Sequence, residues 1–325
     1  MFVTRRLPDA GLAPLRGAGV RLEVRAEDEA IARDALLERA AGAAALVTLV
    51  SDHVDDELLD AAGPDLRIVA NYAVGLDNVD VDACTRRGIA VSNTPDVLTD
   101  ATADHAFALL LAVARRLREG HDLVASGGWS GWQPLQLLGR DIGGATLGIV
   151  GLGRIGRAVA RRANGFGMRV LYHNRRRDLE AETALGVRFA ALDDLLAASD
   201  VVSLHCPLTP ETHHLIDERA LGIMREGAIL VNTARGPVVD EAALVAALDR
   251  GHLFGAGLDV FEHEPRVHPG LIGRPNVLLA PHTGSATETA RTAMARACAM
   301  AVRAVLAGGT APNVVNAGAL AERGA

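Results

Sequence analysis

Short apolar runs alternate with helical patterns along the first hundred residues. Runs of strand length lie at residues 2–4, 21–24, 46–50, 66–70 and 89–91. Between them, residues 27–40 and 55–62 place apolar side chains at helical spacing. Alternating strands and helices are typical of a parallel sheet that is covered by helices. The pattern therefore predicts an α/β structure for this part of the chain.

A second series of the same kind follows a long apolar helix, which we predict at residues 101–118. A loop rich in Gly and Trp at residues 126–139 separates this helix from the series. Its strands are predicted at residues 146–150, 169–172, 201–204, 229–232, 256–260 and 277–280. A last helix is expected to begin at Ser285, where Glu288 completes a capping box, and to end near Leu306.

The order of these elements predicts two domains, one inserted in the other. Strands of one sheet precede the second series and a long helix follows it, so an insertion is the simplest arrangement. We predict an outer α/β domain of residues 1–98 plus 285–325. The inserted domain, residues 99–284, is predicted to be a Rossmann-type, doubly wound parallel sheet. A length of 325 residues suits two compact cores.

A glycine motif stands between a strand and a helix of the second series. Gly151-Leu152-Gly153-Arg154-Ile155-Gly156 follows the apolar strand that ends at Val150 and precedes a helical stretch that we place at residues 157–163. Glycines at these positions allow a tight turn and the approach of a pyrophosphate to the backbone. The helix N-terminus offers amide groups and a positive dipole end to the same anion. The motif in this context predicts a dinucleotide site.

The residues after the next strand distinguish between NAD and NADP. An NAD site places an acid there to hold the ribose 2′-hydroxyl. Here His173-Asn174-Arg175-Arg176-Arg177 precedes the first acid, Asp178. Guanidinium groups suit the additional phosphate of NADP(H), which this pattern favours, with NAD(H) as the alternative. A solvated run of arginines is the other interpretation.

Three polar residues lie just beyond the ends of successive strands of the second series: Arg235, Glu264 and His282. The carboxyl ends of parallel strands form the ligand-binding edge of such a sheet, so these residues are predicted to converge. A guanidinium can hold a carboxylate and polarise a carbonyl, and an imidazole can deliver a proton near neutral pH. A neighbouring carboxylate would favour the imidazolium form and fix its orientation. This set predicts hydride transfer between a nicotinamide and a small 2-oxo or 2-hydroxy acid, with His282 as the proton donor.

Composition limits the partners, cellular location and metal binding that the sequence predicts. The formal net charge is −7, which disfavours nucleic acid or an anionic membrane as a partner. Three widely spaced cysteines indicate reduced thiols, and we predict a cytoplasmic protein without a signal peptide or membrane span. The His213-His214 pair and the pair His263 and His268 lack metal-ligand spacing, so no metal is predicted. Cys206, which lies beside Pro207 after a buried strand, is expected near the cofactor and not to act as a nucleophile.

With these residues in hand, the chain resembles the D-isomer-specific 2-hydroxyacid dehydrogenases, and the glyoxylate/hydroxypyruvate reductase branch in particular. The resemblance extends over nearly the full length. It is carried by Asn71-Tyr72-Ala73-Val74-Gly75-Leu76-Asp77-Asn78, Asn93-Thr94-Pro95-Asp96, the glycine motif, His205-Cys206-Pro207-Leu208-Thr209-Pro210-Glu211-Thr212, Asn232-Thr233-Ala234-Arg235-Gly236-Pro237, Gly257-Leu258-Asp259-Val260 and Pro281-His282-Thr283-Gly284-Ser285.

The resemblance implies a flavodoxin-like outer domain and assigns roles to residues. Arg235, Glu264 and His282 would be catalytic, and backbone groups of Val74 and Gly75 would hold the substrate carboxylate. Cofactor contacts would come from the glycine motif and from strand ends: Gly151, Gly153, Arg154, Ile155, Gly156, Asn174, Arg175, Arg176, Cys206, Pro207, Thr233, Ala234, Asp259 and Gly284. Trp129 and Trp132 match a loop that reaches across a homodimer in the reductase branch, where the second Trp borders the partner's substrate pocket. Anchoring of a dimer arm alone is the alternative role for both.

Two other functions remain open at this point. One is a dehydrogenase of the same fold for another substrate, such as D-lactate, 3-phosphoglycerate, formate or phosphite. A formate enzyme would carry Gln where Glu264 stands, and a phosphoglycerate enzyme would carry an acid after the second strand. The other is a corepressor that senses nucleotides without turnover, since such proteins can keep the same three polar residues.

Overall fold

The computed structural model describes residues 1–16, 19–318 and 320. The described residues form two compact units. The first comprises Met1–Leu98 and the described residues from Ala286 onward, and the second comprises Thr99–Ser285. The chain therefore leaves the first unit after Leu98 and returns to it after Ser285.

The first unit is built on a parallel sheet with the order β2-β1-β3-β4-β5 in its described part. Its strands are β1 (Phe2–Val3), β2 (Glu23–Val24), β3 (Ala45–Thr48), β4 (Ile68–Asn71) and β5 (Ala90–Ser92). The helices between them are α1 (Asp9–Leu12), α2 (Arg33–Ala40), α3 (Asp56–Ala62) and α4 (Val81–Arg86), with a 3-10 turn at Ala13–Leu15. This strand order is that of flavodoxin-like sheets. The predicted α/β layer is confirmed, although residues 27–32 are not helical and α1 and α4 were not anticipated.

The second unit carries a parallel sheet with the order β12-β11-β10-β9-β6-β7-β8 over its described residues. Its strands are β6 (Thr146–Val150), β7 (Arg169–His173), β8 (Arg188–Phe189), β9 (Val201–Leu204), β10 (Ala228–Asn232), β11 (Leu253–Leu258) and β12 (Val277–Leu279). Numbered within the unit, this is the 3-2-1-4-5-6 order of dinucleotide-binding domains with one strand added at the edge. The prediction of a Rossmann-type doubly wound sheet is confirmed. The fifth predicted strand lies about two residues too late in the sequence, and the short edge strand β8 was missed.

Helices cover both faces of this second sheet. They are α5 (Thr99–Ala114), α6 (Leu117–Ala125), α7 (Arg154–Gly165), α8 (Leu179–Leu185), α9 (Leu192–Ala198), α10 (Glu218–Ile223) and α11 (Glu241–Asp249), with 3-10 turns at Gly236–Val238 and Pro269–Leu271. Helices α5 and α7 pack on one face, and α9, α10 and α11 pack on the other. The last helix, α12 (Glu288–Leu306), belongs to the first unit.

Two helix boundaries differ from the prediction. The helix expected at residues 101–118 ends at Ala114, because the amide of Arg140 returns from the following loop to bond the Ala114 carbonyl at 2.8 Å. Arg116 then adopts a left-handed conformation with φ 52° before α6 begins. The last helix starts at Glu288 with Thr287 as its N-cap, so the expected capping box at Ser285 is wrong.

None of the helices within the described residues is long and apolar enough to span a membrane. The cytoplasmic location stays a prediction.

Candidate functional site

The glycine motif lies between β6 and α7, and each of its glycines has a different steric setting. Gly151 has φ 98°, and a Cβ there would lie 2.5 Å from the backbone nitrogen of Cys206. A Cβ on Gly156 would lie 2.3 Å from the carbonyl oxygen of Gly151. A Cβ on Gly153 would meet no described atom within 4 Å. The first and third glycines therefore allow tight packing of the loop, while the second faces open space.

Helix α7 begins at this open space, at Arg154, three residues earlier than we predicted. Gly153 is its N-cap and makes no side-chain capping hydrogen bond. The first turn can therefore present backbone amides to an anion placed above Gly153. Asn174, at the end of β7, accepts a hydrogen bond from the Leu152 amide at 2.7 Å, which links the glycine loop to the following strand end.

The three arginines after β7 are not equivalent. Arg177 bonds the carboxylate of Glu182 through two nitrogens, each at 2.7 Å, and the pair lowers the pKa of Glu182 to about 2. Arg175 and Arg176 are exposed and make no direct hydrogen bond or ion pair with other described residues. Arg177 is exposed as well, so the three differ in pairing: Arg175 and Arg176 are not within ion-pair distance of a described carboxylate.

The end of β9 carries two groups whose ionisation is suppressed by burial. The ring of His205 hydrogen-bonds the hydroxyl of Ser203 at 2.8 Å, and burial lowers the pKa of His205 to about 4. Burial also raises the pKa of the Cys206 thiol to about 11. A thiol with this pKa is a poor nucleophile at neutral pH.

His282 and Glu264 are brought together by the loops after β12 and β11. The Nδ1 atom of His282 lies 2.9 Å from Oε2 of Glu264, and both side chains are about one-third exposed. The other carboxylate oxygen of Glu264 accepts the Phe261 amide at 3.1 Å, which holds the carboxylate in place. This arrangement fixes the imidazole so that its second nitrogen, Nε2, is left for a proton-transfer contact.

The Arg235 loop, which follows β10, packs directly against the loop that carries Glu264. A Cβ on the buried Gly236 would lie 1.8 Å from the carbonyl carbon of Phe261, so only glycine permits this contact. Asn232 holds the same loop from within: its amide donates to the Arg235 carbonyl at 2.9 Å, and its carbonyl oxygen accepts the Ala234 amide at 3.0 Å. Sequence reasoning missed Asn232 and Gly236 as supports, although both lie in the motif that contains Arg235.

A buried polar layer lies along the same edge of the sheet. The hydroxyl oxygen of Thr233 is buried and has no hydrogen-bond partner among the described residues. Asp259 is buried, and its carboxylate accepts the amides of Thr283 and Gly284, both at 2.7 Å. An unpartnered buried hydroxyl, open space over Gly153 and a helix N-terminus without a side-chain cap together fit a dinucleotide.

Val74 and Gly75 lie in the first unit, in the turn after β4. The side chain of Asn93 bonds the Val74 carbonyl and that of Asn71 bonds the Gly75 carbonyl, both at 2.9 Å. With the carbonyl oxygens occupied, the amides of this turn are the groups suited to bind an anion.

The Trp-containing loop and the helix before it expose an unusual amount of apolar surface. All nine residues of α6 are at least partly exposed. Trp132 is 82% exposed, Leu135 79% and Leu138 58%. We call α6 and the following loop, residues 117–138, the arm.

Comparison with known proteins decides the family. The sequence profile described as D-isomer specific 2-hydroxyacid dehydrogenase, NAD binding domain, matches residues 107–284. A glyoxylate reductase from Thermococcus gammatolerans is 53% identical over 97% of this chain and 95% of its own length. The chain belongs to the D-isomer specific 2-hydroxyacid dehydrogenase family.

Solved structures of the same family agree with the fold throughout. The NADPH-dependent glyoxylate/hydroxypyruvate reductase from Sinorhizobium meliloti, in complex with NADP and malonate, is 35% identical with a TM-score of 0.83, over 97% of this chain and 95% of that one. The D-lactate dehydrogenase from Aquifex aeolicus, in complex with NAD and lactic acid, is 32% identical with a TM-score of 0.82, over 94% and 95% of the two chains.

Membership of this dehydrogenase family confirms the predicted class of reaction. The protein is an oxidoreductase that acts on CH–OH groups with a nicotinamide cofactor, and its substrates are small 2-oxo or 2-hydroxy acids.

Proposed function

We propose that the protein reduces glyoxylate and hydroxypyruvate to the corresponding 2-hydroxy acids. The observation that carries the proposal is the 2.9 Å contact between His282 and Glu264, on loops at the carboxyl edge of a dinucleotide-binding sheet. The names of the relatives that match nearly the whole chain support the choice of glyoxylate.

Each polar residue of the site has a distinct task in this reaction. Arg235 binds the substrate carboxylate and polarises the adjacent carbonyl. The amides of Val74 and Gly75 are proposed as carboxylate-binding groups of the first unit. His282 donates a proton to the carbonyl oxygen, and Glu264 stabilises its imidazolium form and orients the ring. A nicotinamide cofactor held by the residues named below would supply the hydride. In the reverse direction His282 removes the hydroxyl proton.

The remaining predicted residues would hold the cofactor, and NADP(H) is the proposed preference. The glycine loop, with Gly151, Gly153, Arg154, Ile155 and Gly156, would cradle the pyrophosphate. Arg175 and Arg176 would bind the 2′-phosphate, and Asn174 would position them relative to the loop. Cys206, Pro207, Thr233, Ala234, Asp259 and Gly284 would line the rest of the cofactor site.

We also propose that the protein is a homodimer held by the arm. Several exposed apolar side chains within one segment suit an interaction surface. Two tryptophans in one loop suit a contact with a second copy, and in the dimer Trp132 would border the partner's substrate pocket.

A steady-state assay tests the reaction. The purified protein is expected to oxidise NADPH when it is given glyoxylate or hydroxypyruvate, and to use NADH less efficiently. The substitution His282→Ala should lower kcat/KM by about 100- to 10,000-fold, because the proton donor is lost. Arg235→Lys should lower it by about 100-fold or more, since an ammonium group cannot form the bidentate contact.

The matched control is His263→Ala, which removes an exposed histidine next to Glu264 and should leave kcat/KM within about twofold. Binding of the cofactor without turnover on glyoxylate, hydroxypyruvate, pyruvate and other small acids would contradict the proposal and indicate a nucleotide sensor.

A further inference from the structure

The backbone around His282 is held by one buried carboxylate. The side chain of Asp259 is 2% exposed, and its two oxygens accept the amides of Thr283 and Gly284 at 2.7 Å. The backbone carbonyl of Asp259 also accepts the His282 amide at 2.8 Å. Asp259 therefore binds three successive amides and determines the turn, with φ 53° at His282, from which the imidazole projects.

A histidine of α5 completes the surroundings of this carboxylate. The Nε2 atom of His105 is buried and lies 3.2 Å from Oδ1 of Asp259. It has no aligned hydrogen-bond partner among the described residues. A buried carboxylate is costly unless charged or polar groups compensate it, and the imidazole is the side chain with a nitrogen within ion-pair distance.

Another residue of the same helix contacts the turn. A Cβ on Gly284 would lie 3.3 Å from the Thr102 methyl carbon and 3.1 Å from Oδ2 of Asp259. Gly284 is thus packed between the carboxylate and the helix. Thr102 and His105 are three residues apart, so they lie on one face of α5. The Asp259 side chain and the turn at residues 282–284 contact this face.

These contacts join the two segments through which the chain passes between its units. Helix α5 starts at Thr99, the first residue of the second unit, and the turn ends one residue before Ser285, the last. The contacts of His105 and Asp259 therefore connect the start of the unit, its end and the residue proposed as the proton donor.

We propose that His105 is a positioning residue for His282, and that it acts through Asp259. The imidazole of His105 holds the carboxylate in the orientation that binds the Thr283 and Gly284 amides. The proposal rests on the catalytic role of His282 described above. It assigns to His105 an effect on turnover that does not require contact with the substrate or the cofactor.

The test compares His105→Phe, which keeps a ring without nitrogens, with His105→Gln, which keeps a polar donor. We expect His105→Phe to lower kcat for glyoxylate by about 10- to 100-fold, because small misplacements of a reacting group have effects of this size. KM for glyoxylate should change by less than about threefold, because the proposal gives His105 no contact with the substrate. His105→Gln should recover most of the lost kcat.

A spectroscopic readout separates this role from the proposed activity. In protein labelled with ¹⁵N at histidine, the imidazole signals of His282 should change in His105→Phe and return in His105→Gln. The control is Asp104→Asn on the same helix, an exposed residue paired with Arg162, which should alter neither kcat nor the His282 signals.

Unchanged kcat and unchanged His282 signals in a folded His105→Phe protein would overturn the inference. Loss of kcat in His105→Gln equal to that in His105→Phe would also overturn it and would indicate a merely structural histidine. If the wild-type protein fails to reduce any small acid, the proposed function is wrong, whereas the ¹⁵N comparison still decides whether His105 positions His282.

Discussion

At the scale of single residues, side chains of one type have different environments that set what each can do. The arginines after β7 show this most clearly. All three are exposed, but Arg177 bonds Glu182, whereas Arg175 and Arg176 make no hydrogen bond or ion pair with other described residues. The structure shows this difference, which the run of three arginines alone does not. The preference for NADP(H) is therefore proposed to depend on the first two arginines.

A matched pair of substitutions tests this assignment. Arg175→Ala should weaken NADPH binding by about 10- to 100-fold, the loss expected for hydrogen bonds to a charged phosphate. Binding of NADH should change by less than about threefold, since NADH lacks that phosphate. Arg177→Ala should leave both affinities within about twofold. Calorimetric titration with each cofactor measures these values, and equal losses for NADH and NADPH in Arg175→Ala would contradict the assignment.

At the scale of elements, local sequence predicts most strands and helices but not all of their ends. Apolar spacing depends on residues that are near one another along the chain, so it correctly indicated β6 and β9. The glycine motif indicated the loop before α7. The end of α5 depends instead on Arg140, which is 26 positions beyond Ala114 and bonds its carbonyl. Gly139 allows that approach, since a Cβ there would lie 2.3 Å from the same oxygen.

The glycine loop provides a prediction at this scale, because its glycines serve packing and ligand access separately. Gly151→Ala should lower Tm by several degrees, as the new methyl group would collide with the Cys206 backbone and φ is positive. Gly153→Ala should leave Tm within about 2 °C, but it should weaken NADPH binding by about tenfold or more, since the methyl group enters the open space above the loop.

Thermal unfolding and NADPH titration of both variants measure these effects. The division of roles is wrong if Gly153→Ala binds NADPH as well as the wild type does.

At the scale of the whole molecule, the arm is notable for its exposed apolar side chains. Trp132 is 82% exposed and Leu135 79%, whereas the apolar residues of the described cores of both units are buried. The proposed dimer gives these side chains a partner. In the proposed dimer, Trp132 would border the substrate pocket of the second copy.

Charged substitutions in the arm test the dimer. Leu135→Glu combined with Leu138→Glu should convert a dimer to a monomer in sedimentation velocity at micromolar concentration, because two buried charges would oppose association. The control is Leu179→Glu, which changes a leucine that is 65% exposed at the start of α8 and should leave the dimer intact. A wild-type protein that sediments as a monomer would show that the dimer proposal is wrong.

The sequence by itself determined the α/β alternation, the dinucleotide motif and the residue types at the strand ends. These features follow from short-range periodicity and from the rule that parallel strands end at one edge. Only the tertiary structure decided where α5 ends and that His105 lies 3.2 Å from Asp259. Those outcomes depend on contacts between residues that are distant along the chain, and such contacts exist only once the chain has packed.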